Sequence, residues 1–295
     1  MSFRTFASLG LLACTAACTV TTTAPGGGSG TSTGSGSQVT TAKSETVPTN
    51  KMHPSLSAQD YGDGSGVHVY AAWLSGDGAW LLTTGGDVVS ASVDDAQPTV
   101  LYVENDVPDK VHYTATFPSA AKAQTITIGL TRPSGRVSAP GSSTVIGAPF
   151  TLVTAIPKSM AQGDKLEIAI DPPPGPDTVG DGDSWQLTAT GACIADFTAS
   201  TVNLGGAKDS GLINASGHFV FDTSQVSQQG PSSSCDVTVM VKHLHYGQLD
   251  PSYGSSASGL SLALSDAPIK DNVPDTTYAV EGLQARAAHT TFSFP

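Results

Sequence analysis

Charged residues are scarce in this chain, and few of them are basic. Lysine and arginine together number 13 against 25 acidic residues, which gives a formal net charge of −12. A protein that binds nucleic acid needs a basic surface to neutralise phosphates, so we expect no nucleic-acid partner. The acidity also disfavours anionic lipid surfaces as direct partners and favours solubility.

Helix signals and catalytic motifs are lacking as well. Glycine and proline are frequent, with 32 and 19 copies, and no amphipathic pattern at helical spacing extends over ten residues. We find no P-loop, no dinucleotide-binding fingerprint and no GxSxG elbow. The sequence therefore predicts a non-catalytic protein without a cofactor, and a hydrolase with an unrecognised site is an alternative.

The only marked apolar run lies at the N-terminus and is short. Arg4 gives a positive start, and residues 5–17 are uncharged and mostly apolar. A membrane-spanning helix needs about 20 apolar residues, so this run is too short to span a bilayer. The layout is typical of a secretory signal peptide, which we place at residues 1–18.

The end of this segment resembles the lipobox of bacterial lipoproteins, in which a small residue precedes a lipidated cysteine. Cys18 follows Thr15-Ala16-Ala17, and Cys14 follows Leu11-Leu12-Ala13. The length of the apolar run favours Cys18 as the site of palmitate and diacyl attachment, with Cys14 as the alternative. Thr19 is not the Asp that retains lipoproteins at the inner membrane, so the resemblance implies the outer membrane or the cell surface.

A segment rich in Gly, Ser and Thr follows the cysteines. We assign residues 19–60 to a flexible linker, because this composition buries too little apolar surface to offset chain entropy. About 35 residues of this type span roughly 30–35 Å, enough to lift a folded body clear of the lipid headgroups.

The body of the chain alternates apolar and polar residues in short runs. The alternation is clearest in VHVYAAWL from Val67, KVHYTATF from Lys110, QTITIGL from Gln124 and KLEIAI from Lys165. Alternation bounded by turn residues predicts half-buried strands. We therefore predict an all-β fold of two antiparallel, Ig-like β-sandwich units, at 61–156 and 157–295.

Two further cysteines, Cys193 and Cys235, lie in the second unit. Cys235 continues the apolar stripe of Val237, Val239 and Val241, so its side chain should point into a core. In an exported protein, two inward cysteines on separate strands are most simply a disulfide. The alternatives are free buried thiols or a metal pair.

The body of the chain, over about residues 65–295, resembles predicted bacterial lipoproteins of uncharacterised function. The shared features lie between residues 113 and 157 and are Arg132-Pro133, Ala139-Pro140 and Pro149-Phe150-Thr151. The segment around Cys193 and the strand of Cys235 are similar too. The resemblance implies an exported, β-rich lipoprotein and supplies no activity.

Three groups of residues are candidate sites. The acidic turn with Asp177, Asp181 and Asp183 offers oxygen ligands suited to Ca²⁺, although a solvated turn explains it as well. His243 and His245 share a strand face, where they could chelate a metal or simply line the rim of a core. The aromatic residues that could form a sugar-stacking platform, with Tyr253 expected to be the most exposed, are Trp73, Trp80, Tyr70, Tyr246 and Tyr253.

Taken together, these features predict a membrane-tethered, exported lipoprotein that serves as a structural or binding module of the cell envelope. Its expected partners are the membrane, through the lipid anchor, and an envelope protein or glycan. A carbohydrate-binding module, stabilised by Ca²⁺, is the alternative within the binding class.

Overall fold

The computed structural model of the protein describes residues 41–104, 111–173, 183–200, 212–213, 216–254 and 280–295. Cys14, Cys18, the predicted signal peptide and most of the predicted linker lie outside these residues. Asp177 and Asp181 of the candidate calcium turn lie outside them as well.

Strands form almost all of the regular structure, as the alternation predicts. The first ten strands are β1 (Thr41–Lys43), β2 (Met52–Asp60), β3 (Val67–Ser75), β4 (Trp80–Leu82), β5 (Val88–Val93), β6 (Thr99–Val100), β7 (Tyr102–Glu104), β8 (His112–Phe117), β9 (Gln124–Thr131) and β10 (Ala139–Ile146). The others are β11 (Thr151–Leu152), β12 (Ser159–Ala161), β13 (Lys165–Ile168), β14 (Ile170–Asp171), β15 (Asp183–Gly191), β16 (Phe197–Ser200), β17 (Phe219–Asp222), β18 (Ser234–Gly247) and β19 (Val280–Ser293). Short 3₁₀ turns occupy Ser44–Thr46, Thr49–Lys51, Thr223–Gln225 and Pro251–Tyr253.

One large sheet runs through the molecule in the order β1-β4-β3-β2-β19-β18-β15-β16, and β7, β8 and β12 pair at its sides. A four-stranded sheet has the order β10-β9-β5-β6, and the pairs β11–β14 and β13–β17 are separate. Most pairings are antiparallel, as predicted. Three differ, because β1–β4, β2–β19 and β12–β19 are parallel.

The first core lies between one half of the large sheet and the four-stranded sheet. On β3 the alternation places Val69 and Trp73 inward, and on β9 it places Ile126 and Ile128 inward; all four are at most 2% exposed. Both sheets therefore contribute to a single apolar cluster, which is the arrangement of a β-sandwich.

The second core lies on the other half of the large sheet. Leu187 on β15 and Val239 on β18 pack there against Ile168 on β13 and Phe221 on β17. The predicted run 165–170 breaks into β13 and β14, which pair with β17 and β11 respectively. The all-β sandwich prediction is confirmed by these two cores.

Most buried residues before the predicted boundary near residue 156 lie in the first core, and most after it lie in the second. Phe150, before it, already belongs to the second core, whereas Tyr253 and Val280, after it, belong to the first. The two sequence segments exchange residues between the cores because β19 pairs with both β18 and β2 and so joins the two halves of the large sheet.

The linker prediction is wrong for residues 41–60, which form β1, two 3₁₀ turns and β2. Met52, Leu56 and Ala58 alternate along β2 and are at most 3% exposed. Their pattern is weak in the sequence because Pro54 stands at the inward position between Met52 and Leu56, and a proline within a run argues against a strand.

Two glycines allow the sheets to approach each other. A Cβ on Gly247 of β18 would collide with the carbonyl oxygen of Ser143 on β10, and a Cβ on Gly282 of β19 would collide with that of Val145. The backbone groups of Ser143 and Gln248 exchange two hydrogen bonds of 2.8 Å at this point. The four-stranded sheet is thereby joined to the end of β18.

Candidate functional site

Cys193 and Cys235 form the predicted disulfide, and their Cα atoms are 5.6 Å apart. Cys193 is fully buried in the second core, and its backbone N–H donates to Cys235 Sγ at 2.9 Å. The bond ties the turn after β15 to the start of β18.

The candidate aromatic residues do not form one platform. Trp73 and Tyr253 are buried in the first core, where Trp73 Nε1 donates to the Tyr253 hydroxyl at 3.0 Å. The expectation that Tyr253 is exposed is wrong, because the turn at Asp250 folds it inward. Asp250 holds this turn by accepting from the backbone N–H groups of Ser252 and Gly141. Trp80 lies on β4 in register with Leu74.

Tyr70 and Tyr246 lie instead on the outer face of the large sheet, the face opposite the two cores. The pairing register places Tyr70 of β3 beside Ser57 of β2, Ser57 beside Glu281 of β19, and Glu281 beside Tyr246 of β18. These four residues form one row across four neighbouring strands.

Further polar groups surround this row. Gln59, next to Ser57 on the outer face of β2, accepts a 2.5 Å hydrogen bond from the hydroxyl of Tyr61. Ser57 and Gln59 are each 6% exposed, whereas Tyr61 is 39% exposed. Lys242 of β18 is on the same face and interacts electrostatically with Glu281. We call Tyr61, Tyr70, Tyr246, Glu281 and Lys242, with Ser57 and Gln59 between them, the Glu281 cluster.

An apolar group adjoins the cluster on the same face. Leu244, Leu283 and Ala285 are at most 4% exposed, and Tyr246 packs against them. Tyr246 therefore has apolar neighbours on this face and is paired in register with Glu281, whose charge it senses.

Four groups of the cluster have shifted pKa values, and partial burial is the main cause of each shift. Burial raises the pKa of the Glu281 carboxyl and lowers that of the Lys242 ammonium, while the attraction between the two partly opposes both shifts. Burial together with the Glu281 charge raises the pKa of Tyr246 to about 12. The pKa of Tyr61 is raised by burial and by the nearby Tyr70, Glu281 and Asp63.

The cluster combines aromatic faces with hydrogen-bonding groups. Carboxylate, amide, hydroxyl and ammonium groups lie beside aromatic rings in a partly desolvated setting, where hydrogen bonds to a ligand gain strength. Shifted pKa values concentrated in one place are typical of functional sites. Alternation in the sequence indicates that Tyr70 and Tyr246 face outward, but it gives no signal for Glu281.

The hydrolase alternative has one serine–histidine contact to consider. Ser65 Oγ lies 2.8 Å from His68 Nε2, in a glycine-flanked turn beside an open pocket of about 580 Å³ lined by Gly66 and Thr116. However, Asp63 Oδ1 is closer, accepting from the Ser65 hydroxyl at 2.5 Å and from its backbone N–H at 2.8 Å. A catalytic serine must give its proton to the base, whereas these hydrogen bonds are those of an Asp-containing turn.

The histidine and aspartate candidates are dispersed. His243 stacks on Trp185 with 4.3 Å between ring centroids and points toward the cores, whereas Asp183 begins β15, where the register pairs it with His245. Within the described parts of the chain, no group of three or more His, Cys, Asp or Glu side chains could hold a metal ion.

Arg132, noted above only for its resemblance to lipoprotein sequences, has a structural role. Its Nε lies 3.2 Å from Asp87 Oδ2, and its other nitrogens donate to the carbonyl oxygens of Ser44 and Val47 and to the Thr49 hydroxyl. The Arg-Pro turn thus holds the segment before β2 against the four-stranded sheet.

Comparisons with known proteins add no function. No protein-family model matches the chain, and no curated protein matches it. Among solved structures, a chimeric titin Z1Z2 functionalised with an exogenous KLER peptide from decorin matches at 11% identity, over 82% of this chain and 95% of that one, with a TM-score of 0.19. Across the described residues, no helix has the length and apolar character needed to cross a membrane.

Proposed function

We propose that this chain is an exported, lipid-anchored binding protein of the bacterial cell envelope, without catalytic activity. A lipid on Cys18, or alternatively Cys14, tethers the protein to the outer membrane or the cell surface. The segment after the anchor holds the β-sandwich body away from the lipid, where it meets an envelope protein or glycan.

The observation that carries this proposal is the disulfide between Cys193 and Cys235. Disulfides persist in oxidising compartments outside the cytoplasm and are rare inside it. The bond therefore supports export independently of the N-terminal sequence. The Glu281 cluster supports the binding role, because aromatic and polar groups with shifted pKa values gather on one face of the sheet.

The anchor is tested by metabolic labelling with a palmitate analogue in a bacterium that expresses the full chain. We expect label on the wild-type protein and on Cys14→Ala, and none on Cys18→Ala. Label lost only in Cys14→Ala would assign the anchor to the alternative cysteine. An unlabelled wild-type chain that fractionates with soluble proteins would contradict the proposal.

A further inference from the structure

The geometry points to a ligand class for the Glu281 cluster: we propose that it binds a neutral saccharide. A sugar ring would stack on Tyr70 or Tyr246 while its hydroxyl groups hydrogen-bond to Glu281 and Gln59. This inference rests on the binding role proposed above and names the ligand for it.

The dimensions of the row suit a short oligosaccharide. Adjacent strands lie about 4.8 Å apart, so the three steps from Tyr70 to Tyr246 cover roughly 14 Å. Ser57, which is 6% exposed, forms the floor between Tyr70 on one side and Glu281 on the other, and Gln59 lies one row along, between His68 and Leu283. A ligand lying across the strands would therefore meet an aromatic ring at each end and polar groups between them.

The chemistry of the cluster matches the two-sided character of a sugar. A pyranose presents apolar C–H groups on the faces of its ring and hydroxyl groups around the edge. Tyrosine offers an apolar ring with a polar tip, and carboxylate and amide oxygens accept hydrogen bonds from hydroxyl groups. A purely apolar ligand would desolvate the Glu281 carboxylate and the Ser57 and Gln59 side chains further while offering them no hydrogen bond, which is costly.

The charge of the cluster favours a neutral ligand. The Glu281 carboxylate is offset by the Lys242 ammonium, with which it interacts electrostatically. An anionic glycan would meet Glu281 and a protein of net charge −12, and a cationic one would compete with Lys242 for the same carboxylate.

The test is binding of the full chain to an array of neutral, anionic and amino-bearing oligosaccharides, followed by titration calorimetry with the best neutral one. Glu281→Gln keeps the shape of the side chain and removes its charge, so hydrogen bonds to it weaken. We expect roughly tenfold to hundredfold weaker binding. Tyr70→Ala should abolish measurable binding. Glu167→Gln on β13, an exposed site away from the cluster, is the matched control and should bind as wild type.

Thermal unfolding of each variant distinguishes loss of the site from loss of the fold. Weaker binding by Glu281→Gln at a melting temperature equal to or above that of wild type supports the proposal. If Glu281→Gln unfolds, Tyr246→Phe, which removes only a hydroxyl, replaces it and should also bind more weakly. The proposal is overturned if no neutral glycan binds, if charged glycans bind more tightly, or if Tyr70→Ala and Glu281→Gln (or its replacement Tyr246→Phe) bind as wild type. Palmitate labelling is unaffected by any of these results, so failure of the saccharide assignment remains separate from failure of the anchor.

Discussion

Arg132 Nε lies 3.2 Å from Asp87 Oδ2 at the base of the first sandwich, and the two side chains are only 1% and 0% exposed to solvent. Arg136 approaches the other carboxylate oxygen at 2.9 Å, and the Ser44 hydroxyl donates to the first at 2.7 Å. This buried pair connects the segment before β2 to the four-stranded sheet, and so holds that first segment of the described chain in place.

Arg132→Met is therefore expected to destabilise the protein strongly. The substitution leaves Arg136 as the cation beside Asp87 and removes the hydrogen bonds to Ser44, Val47 and Thr49, so the free energy of unfolding should fall by about 3 kcal/mol, the lower end of the range for a broken buried ion pair. Chemical denaturation measures the change. Lys165→Met is the matched control, because it breaks the exposed pair with Asp222 and should cost less than about 1 kcal/mol. Equal effects of the two variants would contradict the structural role of Arg132.

The disulfide makes a second quantitative prediction. Cys193 and Cys235 are 42 residues apart, and closing a loop of this length stabilises the folded state by about 4 kcal/mol in the chain-entropy model. The double variant Cys193→Ala/Cys235→Ala should lose stability of that order. The double variant Cys14→Ala/Cys18→Ala, outside the described residues, should unfold like wild type; a comparable loss there would refute the assignment of separate roles to the two cysteine pairs.

The cores could be predicted from the sequence because alternation is a local signal. The inward faces of β3, β9 and β18 follow from period-two patterns, and the stripe through Val237 and Val239 correctly placed Cys235 toward the second core. On β2, Pro54 interrupts the inward apolar positions between Met52 and Leu56, so the pattern was too weak and the strand was assigned to the linker.

The candidate site could not be predicted in the same way, because long-range pairing creates it. Glu281 meets Ser57 only through the parallel pairing of β19 with β2, which joins opposite ends of the chain. Tyr253 was misplaced for a related reason. Its turn is held by a hydrogen bond from Gly141 N–H to Asp250, 109 residues away in sequence, and no local pattern reports that contact.

The buried contact between Trp73 and Tyr253 predicts the effect of losing one hydroxyl. Tyr253→Phe leaves the Trp73 indole N–H without its acceptor inside the first core, and an unsatisfied buried donor costs about 1–3 kcal/mol. Denaturation with fluorescence detection measures the loss and should also shift the tryptophan emission. Tyr102→Phe, at a side chain that is 73% exposed, is the control and should change neither quantity. An unchanged stability of Tyr253→Phe would show that the indole finds another acceptor.

The Glu281 cluster predicts how stability depends on pH. Burial raises the pKa of Glu281 above its ordinary value of 4.5, so the folded state holds this proton more tightly than the unfolded state. The stability that the protonated carboxyl contributes is present below pH 4.5 and is lost as pH rises through the folded pKa. Burial lowers the pKa of the Lys242 ammonium and raises the pKa values of the Tyr61 and Tyr246 hydroxyls, so Glu281 is the carboxyl through which this cluster responds to pH above 4.5.

Glu281→Gln removes that titration, so its stability relative to wild type should increase as pH rises above 4.5 and level off above the folded-state pKa of Glu281. Unfolding free energies measured across this range check the prediction. Asp222→Asn is a control, because its stability relative to wild type should change with pH in the opposite direction. The Ser224 hydroxyl and Lys165 lower the pKa of Asp222, so its carboxylate stabilises the fold above pH 3.8, and that contribution fades as the solution is acidified. A wild-type-minus-Gln difference that stays flat with pH would mean that the Glu281 carboxylate is as well solvated in the folded protein as in the unfolded chain, which would remove the electrostatic basis for a ligand site on this face.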